Sequence, residues 1–519
     1  MLNKSGDREM NERIDDITIV GGGAAGWLMG LFLTTMLNKG ESKVKVTLIE
    51  SPNIPTIGVG EGTVTGFPRM LQQLGIKESE FLRKSDATFK CAGKFVGWNL
   101  DAQGKPITFY NPFNVGGYVG GFETGYYYQK YGNAPGASSF VDSIMPTQMV
   151  VENRLGPKLI GAKDYESPVP YTYHLHAHDF SKQIANIAKK RGVVHILDEM
   201  VDAEQDENGY ITALNLKEKG RVPVKLVIDC TGFSGRILQQ VLKEPYNEFG
   251  NHLLCDRAIP IPHPHEDPKR LTPCTTATAM KAGWTFDVPL YSRMGTGYVY
   301  SSRFISDDEA LDELIRHIGD ESLRERTPPV IKMRVGRVRN TWVKNVIATG
   351  LSAGFVEPLE ASAIYTIEMT ARMLLTYYPE QGIEQKTVDR FNEVMNRMYN
   401  EILSFIVMTY YTSNRTEPFW VAAREDIDLP DRLRENLEMW QSFMPSPHDV
   451  EGKFLFSHWN YIYVLLGKGY FEGRHFPAER FLVKSDWTRF SNHIAEVKRQ
   501  LKQKLPSHYD LLKAIRSGR

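Results

Sequence analysis

Two carboxylates flank a Pro-Leu pair in the segment GFVEPLEASAIY, residues 354–365. Carboxylates can take up protons in catalysis when a fold places them beside a reacting group. Glu357 and Glu360 also precede an apolar run that is typical of a helix. Acids are favoured there because the first turn has unpaired N–H groups and a partial positive charge. For Glu357 this structural explanation is the preferred hypothesis, and for Glu360 it must be weighed against the rest of the sequence.

Two lysines lie in the run TFKCAGKFVGW, which begins at Thr88. Alternation along one strand over Thr88–Lys94 predicts that Lys90 and Lys94 share a face. Since lysines are rarely buried, the pattern alone favours a solvated side chain.

A βαβ pattern near the beginning of the chain predicts a nucleotide site. The run DITIV is a short strand, AAGWLMGLFLTTML reads as a buried helix, and VKVTLIE is a second strand. The glycines between them fit G-x-G-x-x-G, which lets a pyrophosphate approach N–H groups at a helix N-terminus. An acid ends the second strand, where it binds ribose hydroxyls and repels a 2′-phosphate, so FAD or NAD is expected. The predicted cofactor contacts are Gly21, Gly23, Ala24, Ala25, Gly26 and Glu50.

Two later segments favour FAD over NAD. LVIDCTGFSGR, residues 226–236, and NVIATGLSAGFVEPLEASA, residues 345–363, are apolar strands that open into small residues. Chains that bind FAD in a two-lobed fold return to the cofactor with such segments, and Gly350 and Leu351 are the predicted contacts. No second dinucleotide fingerprint is visible for NAD(P)H, which favours an external source of electrons.

Composition excludes several classes of partner. Lys plus Arg equals Asp plus Glu, 62 each, so no net field steers the chain toward nucleic acid or an anionic membrane. The four cysteines lack metal-like or disulfide-like spacing, and no metal site is predicted. The polar start of the chain and its short apolar windows predict neither a signal peptide nor a membrane span, which favours a cytoplasmic protein.

The pattern of elements predicts an α/β protein with a Rossmann-type, two-lobed FAD-binding fold like that of glutathione reductase or flavin monooxygenases. At 519 residues the chain suits more than one lobe. Residues 1–375 are predicted to form the FAD-binding lobe with inserted segments that face the substrate. Apolar residues then recur at helical steps, so residues 376–519 are predicted to form a mainly helical substrate-binding lobe.

Over almost its whole length the sequence resembles flavin-dependent halogenases of the tryptophan-halogenase family. Several separated motifs in the family's order carry this resemblance. They are GGGAAGW at 21–27, IGVGEGT at 57–63, TFKCAGKFVGW at 88–98, AGWTFDVP at 282–289, GTGYVYSSRF at 295–304 and the opening segment GFVEPLEASAIY.

The resemblance implies a division of labour between cofactor and side chains. Reduced FAD, supplied by a separate NAD(P)H-dependent flavin reductase, would use O2 to convert halide into hypohalous acid, which travels through an internal passage to an aromatic substrate. Lys90 matches the family's essential lysine, which would bind hypohalous acid or form a haloamine with it. Glu360 matches the catalytic glutamate, which would orient the electrophile and take up the ring proton. A buried ammonium at Lys90 would need a carboxylate partner, and Glu360 could supply one from a distant part of the chain.

Departures from the family pattern concern the halide and the protection of the flavin site. Ala361 stands where tryptophan-selective members carry Ser, but backbone amides at Ser362 and Ala363 are still implied to hold the halide. Bromide, which is easier to oxidise, is expected at least as readily as chloride. Phe286 replaces the second Trp of the Trp-x-Trp-x-Ile-Pro signature, a motif thought to keep the site from acting as a monooxygenase.

The implied substrate site is altered as well. Asn111 stands where tryptophan-selective members carry a His that stacks on the indole, whereas Phe113 is kept. Further along, Phe456 takes the place of a Trp, with His458 and Trp459 just after it. A slot for an aromatic ring is expected at Asn111, Phe113, Phe456 and Trp459, with His458 a packed or surface residue. Indole, another electron-rich arene or a larger indolic compound is favoured over free tryptophan.

Two alternatives stay open at this point. A flavin-dependent aromatic monooxygenase would hydroxylate its substrate directly at the flavin and would have no use for a distant ammonium at Lys90. A non-catalytic carrier with an FAD-type fold would bind an arene or a lipid in the aromatic pocket. The sequence does not distinguish a monomer from a homodimer.

Overall fold

A six-stranded, mostly parallel sheet organises the first part of the chain in the computed structural model, which describes residues 13–41, 43–54, 60–133, 138–450 and 454–518. Its four central strands are mostly buried apolar runs, as expected for strands covered on both faces. Only the last pairing is antiparallel. In spatial order the strands are Val194–Leu197, Lys45–Glu50, Asp16–Val20, Leu226–Asp229, Val346–Ala348 and Trp342–Val343.

The helix that follows the first strand, Ala24–Leu37, is apolar on nearly all sides and is buried between two other helices, Ala177–Lys190 and Ser362–Thr376. The carboxyl ends of the parallel strands meet at one edge of the sheet. Ligands of open α/β sheets bind at that edge. The predicted βαβ unit is therefore present with the expected geometry.

A second, seven-stranded sheet carries other candidate residues. Its pairings are antiparallel except between Cys274–Met280 and Ala92–Leu100. The strands in order are Ile331–Lys332, Arg257–His263, Met294–Tyr300, Gly283–Pro289, Cys274–Met280, Ala92–Leu100 and Pro106–Pro112. The smaller sheets are Gly60–Gly62 with Thr172–His176 and Thr88–Lys90; Met200–Gln205 with Ile211–Leu216 and Gly220–Pro223; Tyr246–Glu248 with Gly336–Val338 and Gly354–Phe355; and Tyr118–Val119 with Phe122–Glu123.

The predicted single strand over Thr88–Lys94 is wrong. Thr88–Lys90 belongs to a small three-stranded sheet, and Ala92–Leu100 belongs to the seven-stranded sheet. Between them the Cys91 N–H donates to the Pro273 carbonyl, 2.7 Å away. Lys90 is buried, whereas Lys94 contacts Glu152 near the surface, so the two lysines share no strand face. Alternation could not reveal this break, because pairing with distant strands creates it.

Named elements after Thr376 are helical in the described part of the chain, as the sequence predicted. The division into lobes at residues 375 and 376 itself stays a prediction. The α-helices are Ala24–Leu37, Gly66–Gln73, Glu78–Lys84, Thr124–Tyr127, Phe140–Ile144, Thr147–Glu152, Ala177–Lys190, Asp307–Ile318, Ser362–Thr376, Gln385–Tyr411, Pro418–Glu425, Asp431–Met439, His458–Gly467, Lys484–Lys504 and His508–Arg516. Short 3-10 turns occur at Gly232–Ser234, Glu321–Glu325, Gly350–Ser352, Pro358–Glu360 and Pro477–Phe481, and π-helical turns at Tyr128–Gly132 and Arg236–Val241.

Among the helices of the described residues, none combines the length and apolar character that crossing a membrane would require. The predicted cytoplasmic location stays a prediction.

The last helix, His508–Arg516, reaches back to the short strand that carries Lys90. The Phe89 N–H donates to Nε2 of His508 across 3.1 Å, and the imidazole is fully buried. Burial lowers the pKa of His508 to about 3, so the ring stays neutral and can accept this bond. The C-terminal end of the chain therefore helps to fix a three-residue strand that has few ladder bonds of its own.

We expect His508→Ala to lower the free energy of unfolding by ~2–4 kcal/mol at pH 7.5, because it leaves a buried N–H without an acceptor and opens a cavity. The unfolded chain protonates this histidine near pH 6.5, but the folded chain does not do so until about pH 3. The contribution of His508 to the wild-type free energy of unfolding therefore decreases as the pH falls below about 6.5, and His508→Ala destabilises the fold less there.

Urea unfolding at pH 7.5 and pH 5 measures both effects, with His475→Ala, whose side chain is 91% exposed, as the control. A cost under about 0.5 kcal/mol at pH 7.5, within the range of ordinary surface substitutions, would contradict the anchoring role.

Candidate active site

The glycine turn at the first strand has the shape of a phosphate cradle. A Cβ on Gly21, where φ is +119°, would collide with the Cys230 carbonyl, and one on Gly26 would collide with the Gly21 carbonyl. These two glycines let the turn pack closely against its surroundings. At Gly23, the residue before helix Ala24–Leu37, no described atom lies within 4 Å of the position that a Cβ would take. The turn is therefore open beside the helix N-terminus, where the predicted pyrophosphate would bind.

The other predicted cofactor residues gather around this turn. The Glu50 carboxylate lies within hydrogen-bond distance of His195, with Oε2 and Nε2 2.8 Å apart, and it packs against Gly22. Gly350, with φ of +64°, packs so closely on Ala25 that a Cβ on Gly350 would lie 2.9 Å from the Ala25 methyl. Leu351 follows in the same 3-10 turn. The donor and acceptor types fit an FAD, and these contacts stay predictions.

Lys90 is buried, with 4% of its surface exposed, at a place where several segments converge. A Cβ on Gly62 would lie 3.0 Å from Lys90 Nζ and 3.3 Å from the Ala361 methyl. The ammonium lies 3.4 Å from the Thr63 carbonyl and 5.6 Å from the centre of the Phe113 ring. Burial lowers the pKa of Lys90 to about 8, although the nearby Glu360 acts in the opposite direction.

Glu360 ends the 3-10 turn Pro358–Glu360 and is also buried. Its Oε1 accepts a hydrogen bond from Asn111 Nδ2 at 3.0 Å. Burial raises the pKa of Glu360 to about 7, while Lys90 and the Asn111 bond oppose that rise. Among ion pairs within 4.0 Å in the described residues, none joins Lys90 to Glu360. The predicted partner is thus close enough to shift the lysine's pKa without contacting it directly.

The chain turns sharply after Glu360 and starts a long helix. Ala361 adopts a left-handed conformation, with φ of +55°, and helix Ser362–Thr376 begins immediately after it. The first N–H groups of a helix have no partner within it and favour an anion. Ser362 and Ala363, whose backbone N–H groups form the predicted halide site, are the first two residues of this helix.

Glu357 does not act as an ordinary acid at a helix N-terminus. It is fully buried, its φ is +27°, and its Oε1 accepts hydrogen bonds from Trp284 Nε1 at 2.6 Å and from the Tyr410 hydroxyl. Among the described residues its Oε2 has no hydrogen-bond partner. Burial raises the pKa of Glu357 to about 7. The preferred structural hypothesis is therefore replaced: Glu357 ties its turn to the seven-stranded sheet and to helix Gln385–Tyr411.

The predicted substrate residues fall into two groups. Asn111 and Phe113 lie beside Glu360 and Lys90, and Trp459 packs just beyond them, under Gly116. Phe456, in contrast, stacks on Phe405 with ring centres 3.9 Å apart, within the packing of the C-terminal helices.

Other residues also build this site, and sequence reasoning missed some of them. His458 is buried 3.3 Å from Glu123, which fits the packed interpretation. Asn460 donates a hydrogen bond to Asn111, the residue that bonds Glu360, and Trp284 donates one to Glu357. Neither contact has a local sequence signal. Gly62 was signalled only by its place in the motif IGVGEGT, whose residues 57–59 lie outside the described residues.

Comparisons with known proteins find similarity over nearly the full length of this chain. The family description "Tryptophan halogenase" matches residues 16–482. The tryptophan 6-halogenase ThaL of Streptomyces albogriseolus is 32% identical, covering 98% of this chain and 99% of its own. A tryptophan halogenase from Shewanella frigidimarina superimposes with a TM-score of 0.91 at 32% identity, covering 98% and 99% of the two chains. Tar14, a tryptophan C-6 flavin-dependent halogenase (chlorinase) from taromycin biosynthesis, gives 0.90 at 30%, covering 97% and 100%.

We expect Glu357→Ala to destabilise the fold by ~2–5 kcal/mol, because two buried donors lose their acceptor. Glu357→Gln keeps an acceptor oxygen and should cost much less. Since folding raises this pKa from 4.5 to about 7, wild-type stability falls as the pH rises through that window, by at most ~1.4 kcal/mol per pH unit. The glutamine variant lacks this dependence.

Urea unfolding of wild type and Glu357→Gln between pH 5 and pH 8 tests this expectation. The stability of the variant relative to wild type should increase with pH. Two curves that run parallel would show that Glu357 does not hold its proton more tightly in the folded state.

Proposed function

The chain belongs to the tryptophan halogenase family, and from this premise we propose that it is a two-component halogenase acting on an electron-rich aromatic carbon. Family membership confirms the predicted two-lobed FAD-binding α/β fold and the prediction of a halogenase-type enzyme. The aromatic ring we propose is that of indole or an indolic compound. The observation that carries the proposal is the buried pair Lys90 and Glu360, brought together without an ion pair.

FAD would be held at the edge of the parallel sheet. The proposed contacts are Gly21, Gly23, Ala24, Ala25, Gly26, Glu50, Gly350 and Leu351. When bound in reduced form, FAD would supply two electrons and a halide ion would supply two more; O2 would take up all four together with one proton from solvent, and the products would be FAD, water and hypohalous acid. A separate NAD(P)H-dependent flavin reductase would provide the reduced cofactor.

The halide would be held by the N–H groups of Ser362 and Ala363 at the start of helix Ser362–Thr376. This site recognises charge rather than size, because backbone N–H groups and small side chains form it. We propose that bromide is used at least as readily as chloride, since bromide is easier to oxidise.

Lys90 would receive the hypohalous acid. Its ammonium donates a hydrogen bond to the oxygen of the acid and so makes the halogen more electrophilic. A ring carbon then forms a bond to the halogen while the halogen–oxygen bond breaks, and the departing hydroxide takes a proton from the Lys90 ammonium and leaves as water. The ring proton passes to the carboxylate of Glu360, which restores the aromatic system.

The ring of the substrate would rest beside Phe113, which lies next to Lys90. Trp459 closes the region beyond it, and Asn111 borders it through Glu360. Phe456 would shape this region from a distance, since it packs within the helical layer. Free tryptophan is proposed as a weaker substrate than indole.

The assay that tests the proposal supplies indole, tryptophan or a phenol with FAD, a flavin reductase, NADH, air and either bromide or chloride. We expect mass spectrometry to show a halogenated product with wild type and a loss of at least about a hundredfold in Lys90→Ala. Lys94→Ala is the matched control, because Lys94 lies four residues away but contacts Glu152 near the surface.

A product heavier by one oxygen and unaffected by Lys90→Ala would select the monooxygenase alternative. Absence of any product together with tight binding of the arene would select the carrier. The ratio of brominated to chlorinated product ranks the halides, and the three arenes rank the substrates.

We expect kcat to follow a bell-shaped dependence on pH. Glu360 must be a carboxylate to take up the ring proton, so the rate rises as its proton is lost near pH 7. Lys90 must be an ammonium to polarise hypohalous acid, so the rate falls as that proton is lost near pH 8. Rates measured at saturating arene between pH 5.5 and 9.5 test this. A rate that keeps increasing above pH 8 would contradict the ammonium role and favour a haloamine on the neutral amine.

A further inference from the structure

A chain of side-chain hydrogen bonds leads from the C-terminal helices to the carboxylate of Glu360. Asn111 Nδ2 donates to Glu360 Oε1 at 3.0 Å, and Asn460 Nδ2 donates to Asn111 Oδ1 at 2.9 Å. Asn111 lies on the strand Pro106–Pro112 of the seven-stranded sheet, and Asn460 lies in the first turn of helix His458–Gly467. Three segments distant in sequence are thus joined through two amides.

The donor and acceptor roles in this chain of hydrogen bonds are set at the Asn460 end. The Ser457 N–H donates to Asn460 Oδ1 at 2.9 Å, within the capping box that starts the helix. A backbone N–H can only donate, so the carbonyl oxygen of the Asn460 amide must face it and the NH2 group must face Asn111. Asn111 in turn must present its oxygen to Asn460 and its NH2 group to Glu360. The helix cap therefore dictates that Glu360 receives a donor.

From this geometry we infer that Asn111 and Asn460 are positioning residues that hold Glu360 with Oε1 engaged and Oε2 directed to the reaction. The inference rests on the proposed function, because it assigns Glu360 the task of taking up the ring proton. It also changes the part given to Asn111: both ends of its amide are used within the protein, so it orients the base rather than stacking on the substrate.

The charged surroundings of Glu360 agree with this assignment. Lys90 faces it from the strand Thr88–Lys90. Burial keeps the pKa of His174, which lies near Lys90, well below its usual range, so that ring adds no charge. Glu357, on the same turn, is bonded to Trp284 and Tyr410 instead. The Asn111 bond lowers the pKa of Glu360 against the effect of burial. Removing that bond therefore favours the protonated form, which cannot accept a proton.

The first test compares kcat, KM and the pH dependence of halogenation in wild type, Asn111→Ala and Asn460→Ala. We expect kcat to fall about tenfold in Asn111→Ala and about threefold in Asn460→Ala, since a bond to a charged group is lost in one and weakened in the other. KM for the arene should change less than about twofold. The acidic side of the dependence of kcat on pH (the acid limb) should move to higher pH in both variants. A raised KM with unchanged kcat would return Asn111 to the substrate and overturn the inference.

Double variants separate positioning from general damage. In a Glu360→Ala background, adding Asn111→Ala should change the residual rate by less than about twofold, because no base remains to be positioned. Likewise Asn111→Ala with Asn460→Ala should be no worse than Asn111→Ala alone. A full additional loss in either combination would contradict the chain.

Asn392→Ala is the matched control. Asn392 is a buried asparagine whose amide bonds both the N–H and the carbonyl of Trp342, each at 2.8 Å. Its removal should lower stability yet leave the acid limb in place. If the limb moves in this variant too, the pH effect reflects loosened packing rather than Asn111.

The unfolding free energies of Asn111→Ala, Glu360→Ala and the double variant complete the design, because they need no turnover. Non-additive costs would show that Asn111 and Glu360 interact even if wild type yields no halogenated product. That combination would reject the proposed function but not the interaction between Asn111 and Glu360. Additive costs in an enzyme that does halogenate would instead reject the inference and leave the proposed function standing.

Discussion

The buried hydrogen bonds to Glu357 hold the turn on which the rest of the site depends. Glu357 and Ala361 both have positive φ, a conformation that costs a non-glycine residue free energy. The turn between them persists because Trp284 and Tyr410 fix its first residue from the sheet and from a helix. With that end fixed, Glu360 is directed toward Asn111, and the helix that begins at Ser362 has its N-terminus set in place.

The site keeps an ammonium and a carboxylate buried without allowing them to neutralise each other by contact. A direct ion pair would hold Lys90 charged well above neutral pH and Glu360 charged well below it. Instead burial dominates both, and their pKa values approach each other at about 8 and about 7. Each group can therefore gain or lose a proton near neutrality, as acid–base work requires. The fold offsets the cost with hydrogen bonds from Lys90 to Thr63 and from Asn111 to Glu360.

Local signals in the sequence sufficed for the nucleotide unit, because the glycine turn, its strands and Glu50 lie within one βαβ segment and follow one periodicity. They failed where distant segments decide the outcome. The strand that carries Lys90 ends before Cys91, because the residues before and after Cys91 pair with different strands. Glu357 reads as a helix-start acid until Trp284 and Tyr410 are seen to bury it. The partner of Asn111 could not be found either, since an amide carries no pattern that names Glu360 or Asn460.

The helices after Thr376 do more than cover the nucleotide-binding part. His508 accepts from the strand that carries Lys90, and Tyr410 bonds Glu357. Asn460 reaches Glu360 through Asn111. Both proposed catalytic side chains therefore take their orientation partly from residues that follow them by a long stretch of chain. Because each of these contacts is a single hydrogen bond, a small shift of the helices would misdirect the lysine and the glutamate together. Specific hydrogen bonds thus link the helical part to the two proposed catalytic side chains, and the motifs that build the site are spread over the sequence because distant segments supply its parts.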